Sequence, residues 1–466
     1  MTGLLLADAE IDGGPRLDVR ITDHRIAELG HRLERRAGER VVEGGGGALL
    51  PGLCDHHLHL HALTAHRRSV LCGPPQVTDR ARLSAALRDA APDQHGWIRG
   101  VGYVETVAGE LDAAALDRLG PPHPVRVQHR SGALWTLNTA ALTATGLATA
   151  DHPGIERDDH GNPTGRLWRA DDWLRARLPP ATPLPLGEVT RELAGFGITA
   201  VTDATPDLDA QALASFDRAV RDGTLPQRLH LLGAPLEAPA TDPRITTGPH
   251  KIVIADSSLP DLGDLTERIR TAHAHERPVA VHCVTREALL LLLAALDEAG
   301  PPVDGDRVEH AALIPAEIIE NMRRRGLRVV TQPGFIADRG DDYLRDVPAE
   351  EHRDLYRHRS LRAAGIPVAL SSDAPYGPLD PWQVMNAAVH RRTRSGTIAG
   401  PPERLDPLAA LHAYLTPPEA PGGVIKRIRT GATADLVLLH TPLAEALRRP
   451  SAALVRTVLI GGHLVL

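Results

Sequence analysis

Apolar and polar positions follow two rhythms along this chain. At the start, short alternating runs are set off by turn residues: Leu4–Ile11, then Asp12-Gly13-Gly14-Pro15, Leu17–Thr22, Arg25–Leu29 and Arg40–Glu43. The glycine run Gly44–Gly47 and the pair Pro51-Gly52 punctuate the next stretch, as breakers between strands do. The end of the chain repeats the style in Asp435–Leu439 and Leu454–Ile460, with Gly461-Gly462 turning into a final strand. Strand-rich ends around a long middle predict one small β-sandwich domain assembled from residues 1–52 and 424–466.

The middle, 53–423, alternates continuous apolar runs with helix-like stretches, the pattern of βα units on a parallel sheet. Eight runs read as strands: Leu53–His59, Ile198–Asp203, Arg228–Gly233, Lys251–Asp256, Val279–Val284, Arg307–His310, Arg328–Gln332 and Val368–Ser372. Eight parallel strands with helices between them predict an α/β fold of the (β/α)8 TIM-barrel type. The first two are separated by about 130 residues, too many for a loop in a compact domain. Residues 62–186 are therefore predicted to form an insertion over the active site, with the Pro-rich stretch Leu178–Leu186 as its connector. The insertion holds Trp97, Tyr103, Trp135, Trp168 and Trp173 in a chain only 3% aromatic, and these rings read mainly as its own small core.

Composition narrows the function classes. The net charge of −7 over 466 residues carries no footprint for nucleic acid. The longest wholly apolar run, Ala288–Leu296, is too short for a bilayer and reads as the buried face of a helix. Cys54, Cys72 and Cys283 cannot make a disulfide framework, and the chain does not open on a basic stretch followed by an apolar one. The expectation is a reduced, cytoplasmic protein acting on a small molecule without nucleic acid or membrane, with a homodimer left open.

The chemistry starts at Pro51-Gly52-Leu53-Cys54-Asp55-His56-His57-Leu58-His59. Side chains two apart on a strand share a face, so His57 and His59 can offer two imidazoles to one divalent transition metal. With 24 histidines in the chain, the pair alone is weak. Lys251, His282, His310 and Asp373 add to it because each lies on or at the end of a predicted strand of the same barrel. Active sites of such barrels sit at the strands' C-terminal ends, and charged groups among buried strands are costly unless paired or metal-bound. Each also has a plainer reading: a strand-end histidine can be a hydrogen-bonded core residue, an aspartate a helix cap, and Lys251 a strand-edge lysine paired with a carboxylate. His56 should point away from His57, and His61 and His66 read as loop residues.

These segments resemble the amidohydrolase superfamily, in particular the family-3 branch that includes N-substituted formamide deformylases. The similarity runs through Gly96-Trp97-Ile98-Arg99-Gly100-Val101-Gly102-Tyr103, Gly197-Ile198-Thr199-Ala200-Val201-Thr202-Asp203-Ala204, Val308-Glu309-His310-Ala311, Ser372-Asp373-Ala374-Pro375 and Gly431-Ala432-Thr433-Ala434-Asp435-Leu436-Val437-Leu438. The resemblance implies that His57, His59 and Asp373 hold a more buried divalent metal, and that His282 and His310 hold a more exposed one. Lys251 stands where many members carry a carboxylated lysine bridging two ions. An unmodified Lys251 would leave one ion. Zinc is the default for an imidazole-rich site. The implied reaction is hydrolysis of an amide, formamide or cyclic-amide C–N bond by a metal-activated water, with Asp373 as general base. Relatives often carry a histidine where this chain has Ala133. His129 or Arg130 could take over its substrate contact, and Trp97 and Asn138 are further substrate-binding candidates. The alternatives are single-metal deamination of an amino-heterocycle, a non-hydrolytic lyase or isomerase, and a metal-bearing scaffold.

Overall fold

The computed structural model describes residues 3–179, 185–237, 242–255 and 259–466. They form a mixed α/β protein that divides by contact into one unit of residues 1–60 and 186–466 and a second of residues 61–185.

In the first unit the eight expected parallel strands appear as β1 (Leu53–Leu58), β2 (Ile198–Asp203), β3 (Arg228–Leu231), β4 (His250–Val253), β5 (Val279–Cys283), β6 (Arg307–His310), β7 (Arg328–Thr331) and β8 (Val368–Leu370). β1, β2 and β3 pair in parallel, as do β4 through β8 in chain order. The amides of Gly248 and Lys251 donate to Leu231 and Leu232 carbonyls at 2.8 and 3.1 Å, joining β3 to β4. The amides of Asp373 and His59 donate to the carbonyls of His57 and Ala374 at 2.8 and 2.9 Å, joining the end of β8 to the end of β1.

Several strands stop short of their expected C-terminal residues: His59, Gly233, Val284, Gln332 and Ser372 lie beyond them. Left-handed φ occurs at the end of β6, which stops at its expected His310, and after β8, with 67° at His310, 48° at Ala311 and 54° at Asp373. β4 ends at Val253, and Asp256, to which that strand was expected to run, lies outside the described residues. An unexpected strand, Ile245–Thr247, pairs in parallel with β3.

Alternate strand residues build the core. Ile252, Val279, Val281, Cys283, Val308, Val329 and Val368 pack with the helices that come after the strands. The apolar run 288–296 lies on helix Arg286–Ala299, which Thr285 caps by accepting from the Ala288 amide at 3.2 Å. Its Leu289, Leu292, Leu293 and Leu296 are buried at the i, i+3, i+4, i+7 spacing of one helical face, so the run serves the packed interior. Among the described residues no helix is long and apolar enough to cross a membrane.

The two ends of the chain meet in one eight-stranded sheet. Ala48–Pro51, which the glycine-rich sequence around it conceals, pairs in parallel with Leu4–Ile11 and antiparallel with Leu436–Leu439. It thereby ties the N-terminal strands to the C-terminal ones. Gly52 then leads into β1, and a Cβ there would meet Thr199 Oγ1 at 2.1 Å. Only glycine allows that close approach.

The 61–185 unit has its own six-stranded sheet, ordered Ile155–Arg157, Pro163–Trp168, Leu134–Leu137, Val125–His129, Ile98–Tyr103 and Val70–Leu71. Trp97 and Trp135 sit in one of its small cores, with Trp173 packed against it, and Tyr103 sits in another. Trp168 departs from the expected core role: it is 40% exposed, and its Nε1 donates to Glu156 at 3.0 Å. His61 and His66, expected in a loop, lie on helix Leu60–Arg67. That helix starts directly after β1 because Asp203 Oδ2 accepts from the Leu60 amide at 2.8 Å. Of the expected connector Leu178–Leu186, residues 180–184 lie outside those described.

Candidate metal centre

β1 carries His57 into the interior of the first unit, and the chain leaving the strand places His59 beside it. Their ring centroids are 5.4 Å apart. The residues after β8 bring Asp373 to the same point, with its Oδ1 3.5 Å from His57 Nε2 and 3.3 Å from His59 Nε2. One ligand atom from each of the three lies within 4.8 Å of the others. From β6, His310 sets its ring 4.8 Å from that of His57 and 4.4 Å from that of His282 on β5. Lys251 on β4 is 3% exposed and feels the charges of Glu309 and Asp373.

Each of three imidazoles has its Nδ1 engaged. His57 Nδ1 contacts Glu309 Oε2, His59 Nδ1 lies 3.1 Å from Thr205 Oγ1, and His310 Nδ1 lies 3.0 Å from Gln332 Oε1. Gln332 is itself fixed, donating to Ser371 Oγ at 2.9 Å. Such contacts orient a ring and select its tautomer, leaving Nε2 to act as a ligand.

Burial decides most of the charge states. It holds His57 well below the usual imidazole range, with the field of Lys251 acting the same way. Burial and neighbouring His282 push His310 down to about 3. Both are thus neutral donors. Lys251 is lowered by burial, while Glu309 and Asp373 pull the other way. Burial alone would raise Asp373, but His59, whose Nε2 lies 3.3 Å away, and the fields of His310 and His57 overcome it and keep the carboxylate ionised. Asp55 behaves oppositely. Burial pushes it up to about 7, although its Oδ1 accepts from the amides of His57 and Ser372 at 3.2 Å each.

The donor set fits a divalent cation. His57 Nε2, Asp373 Oδ1 and Lys251 Nζ are buried and have no hydrogen-bond partner among the described residues, and such orphaned polar atoms are costly unless something neutralises them. Two imidazoles and a carboxylate are the mixed nitrogen–oxygen set that zinc and its neighbours accept.

His56 turns away as its place on the strand requires, with Nδ1 3.6 Å from Cys54 Sγ and Nε2 2.9 Å from Thr416 Oγ1. The remaining candidates belong to the 61–185 unit. Asn138 Oδ1 accepts from the Val125 and Ala141 amides at 2.9 and 3.0 Å, and Nδ2 donates to the His123 carbonyl at 2.9 Å. Its amide is used at both ends to cap a helix and tie down a strand. Trp97 is 7% exposed within a hydrophobic core. Both side chains are engaged in packing and hydrogen bonds within that unit. His129 sits between Ser131 Oγ at 2.8 Å and Glu105 Oε2 at 3.3 Å. Arg130, half-buried, donates its amide to the Tyr103 carbonyl at 2.8 Å.

The orienting residues Glu309, Thr205 and Gln332 were given no role on the sequence. Their signal is positional: Glu309 directly precedes His310, and Thr205 and Gln332 come just after strand ends.

Neutral imidazoles and an ionised carboxylate around a cation-sized space at the ends of parallel strands define a metal-dependent hydrolase class of site. The family described as "Amidohydrolase family" matches residues 40–466, and the chain belongs to that family. It is 26% identical to the putative amidohydrolase YtcJ of Bacillus subtilis (strain 168), over 88% of this chain and 87% of that protein. It is also 26% identical to the N-substituted formamide deformylase of Arthrobacter pascens, over 90% of this chain and 89% of that protein. Among solved structures, an uncharacterized metal-dependent hydrolase from Pyrococcus horikoshii OT3 shares the fold, with a TM-score of 0.75 at 18% identity over 99% of each chain. The protein is a hydrolase.

Proposed function

We propose that this protein hydrolyses a C–N bond of a small-molecule amide, formamide or cyclic amide. The architecture we propose is a closed (β/α)8 barrel bearing a small β-sandwich from residues 1–52 and 424–466, with 62–186 as an insertion after β1. The order of parallel pairing from β1 to β8, and the bonds between the ends of β8 and β1, support it. The observation that carries the activity is the convergence of His57, His59 and Asp373, with ligand atoms within 4.8 Å of one another. The similarity to a formamide deformylase supports the choice of bond.

A bound divalent ion, for which zinc is our choice, supplies Lewis acidity towards the carbonyl and acidifies a water. His57, His59 and Asp373 would hold it, with His282 and His310 available for a second. Asp373 is our candidate general base, which would take a proton from the attacking water and return it to the leaving nitrogen. Lys251, whose charged form burial disfavours, is suited to take up CO2 on a neutral amine and become an anionic ligand. His129 and Arg130 are our candidates for substrate contact.

The test is metal analysis combined with a panel of amides, formamides and lactams. We expect one to two transition-metal equivalents and turnover of at least one class. Asp373→Asn should lose roughly 10²–10⁴-fold in rate while keeping most of its metal. Full activity in that variant removes Asp373 from the mechanism. Ammonia release from an amino-heterocycle, with Lys251→Ala retaining its metal, would replace this reading by deamination.

A further inference from the structure

Glu309 is fully buried, and its two carboxylate oxygens face in different directions. Oε2 meets His57 Nδ1, and Oε1 meets the Nε of Arg307. Arg307 is 1% exposed. Glu309 and Arg307 lie two apart on β6, so both side chains point to the interior face. The three groups form a line running from a guanidinium, through a carboxylate, to one nitrogen of an imidazole whose other nitrogen faces Asp373 at 3.5 Å.

The orienting partners differ in kind. His59 and His310 are held by neutral groups, Thr205 and Gln332, whereas His57 is held by a charged one. A carboxylate can only accept a hydrogen bond, so it requires the proton of neutral His57 to sit on Nδ1 and leaves the Nε2 lone pair free. The guanidinium fixes the carboxylate through a charge-assisted bond and offsets the cost of burying it.

We infer that Glu309, anchored by Arg307, is a positioning residue that locks His57 as the Nδ1–H tautomer and strengthens it as a cation donor. The inference rests on the metal-hydrolase reading but concerns a residue that does not itself touch the ion or substrate.

The experiment uses metal-free full-length protein, with zinc alone as the probe. Zinc affinity is read by competition with a chromophoric chelator. The His57 tautomer is read from ring ¹⁵N shifts in histidine-labelled protein. In the wild type, His57 should carry its proton on Nδ1 before any metal is added. Glu309→Gln should weaken zinc binding about 10- to 100-fold. That variant leaves Arg307 buried without its carboxylate, so the double variant Arg307→Met/Glu309→Gln provides a charge-free interior if the single one fails to fold, and it should show the same loss. A wild-type His57 protonated on Nε2, or wild-type zinc affinity in whichever of these variants folds, would overturn the inference. His57→Asn separates this from failure of the underlying reading. Loss of zinc there, with Glu309→Gln unaffected, sinks only the positioning role, and unchanged zinc affinity in His57→Asn sinks the metal site itself.

Discussion

Two regions of this molecule bury polar side chains, yet they use them differently. In the 61–185 unit three of them end on backbone or on a partner: Asn138 satisfies three backbone groups, Trp135 Nε1 donates to Asp171 at 2.8 Å, and Gln128 donates to the Gly132 carbonyl at 3.2 Å. At the ends of β1, β6 and β8, neighbours hold one side of each imidazole, and the orphaned Nε2 of His57 and Oδ1 of Asp373 face each other. Backbone conformation adds to the contrast. His310, Ala311 and Asp373 all have left-handed φ, a cost of order 1–3 kcal/mol each that persists only when the surroundings impose it. A side chain satisfied on every side is structural. One held firmly on a single side is positioned for something else.

The largest effect that could break this contrast is the loss in Asp373→Asn, of order 10²–10⁴-fold in turnover with folding intact. In the other region the effect should be on stability alone. Asn138→Ala removes a helix cap and leaves the Val125 amide and His123 carbonyl without their partner, costing about 1–3 kcal/mol. Urea unfolding would show this, with KM for the best amide unchanged. A shifted KM at unchanged stability would return Asn138 to the substrate site.

Next in size is the response to acid. His310, His230 and His358 are each pushed down to about 3 by burial, against about 6.5 unfolded. Their folded values are depressed, so the unfolded chain binds more protons below pH 6.5. Stability is full above that pH and falls as it drops towards 3, by up to about 1.4 kcal/mol per pH unit for each such group. Metal-free protein should therefore lose stability steeply between pH 6.5 and 4. His358→Leu, outside the proposed ligand set, should remove one histidine's share of that slope. A flat profile over this range, measured by denaturant midpoints, would show that these imidazoles are not held neutral.

The strand positions of the candidates were legible in the sequence: His57, His282 and His310 lie on strands that apolar runs announce, and period-2 spacing fixes their direction. The strand ends were less legible. Five runs read one or two residues too long, because residues just past a strand's end, such as Val284 and Ser372, look no different from those within it. Ala48–Pro51 was hidden by the glycines before it, although it is the strand that unites the two ends of the chain. Glu309, Thr205 and Gln332 sit at telling positions, but their contacts could not be read. Their partners lie 252, 146 and 22 residues away, and no local pattern encodes such a contact. The packing of Trp97 and the three hydrogen bonds of Asn138 were not legible, because a tryptophan or asparagine in a family segment looks the same whether it faces a ligand or a core.

The smallest expected effect sharpens the contrast most. Thr205 holds His59 Nδ1 at 3.1 Å through a hydroxyl, and its own amide donates to Asp203 Oδ1 at 3.0 Å, so Thr205→Val keeps shape and backbone while deleting one neutral hydrogen bond. Such a bond contributes about 0.5–1.5 kcal/mol, so zinc affinity should weaken only about two- to tenfold, less than for Glu309→Gln. Equal losses in the two variants would mean that orientation alone matters and that the charge on Glu309 adds nothing. A loss confined to Glu309→Gln would mean that His59 is positioned by the backbone of its turn, through its amide bond to the Ala374 carbonyl, and needs no side-chain partner. Chelator competition on the two proteins side by side separates these outcomes.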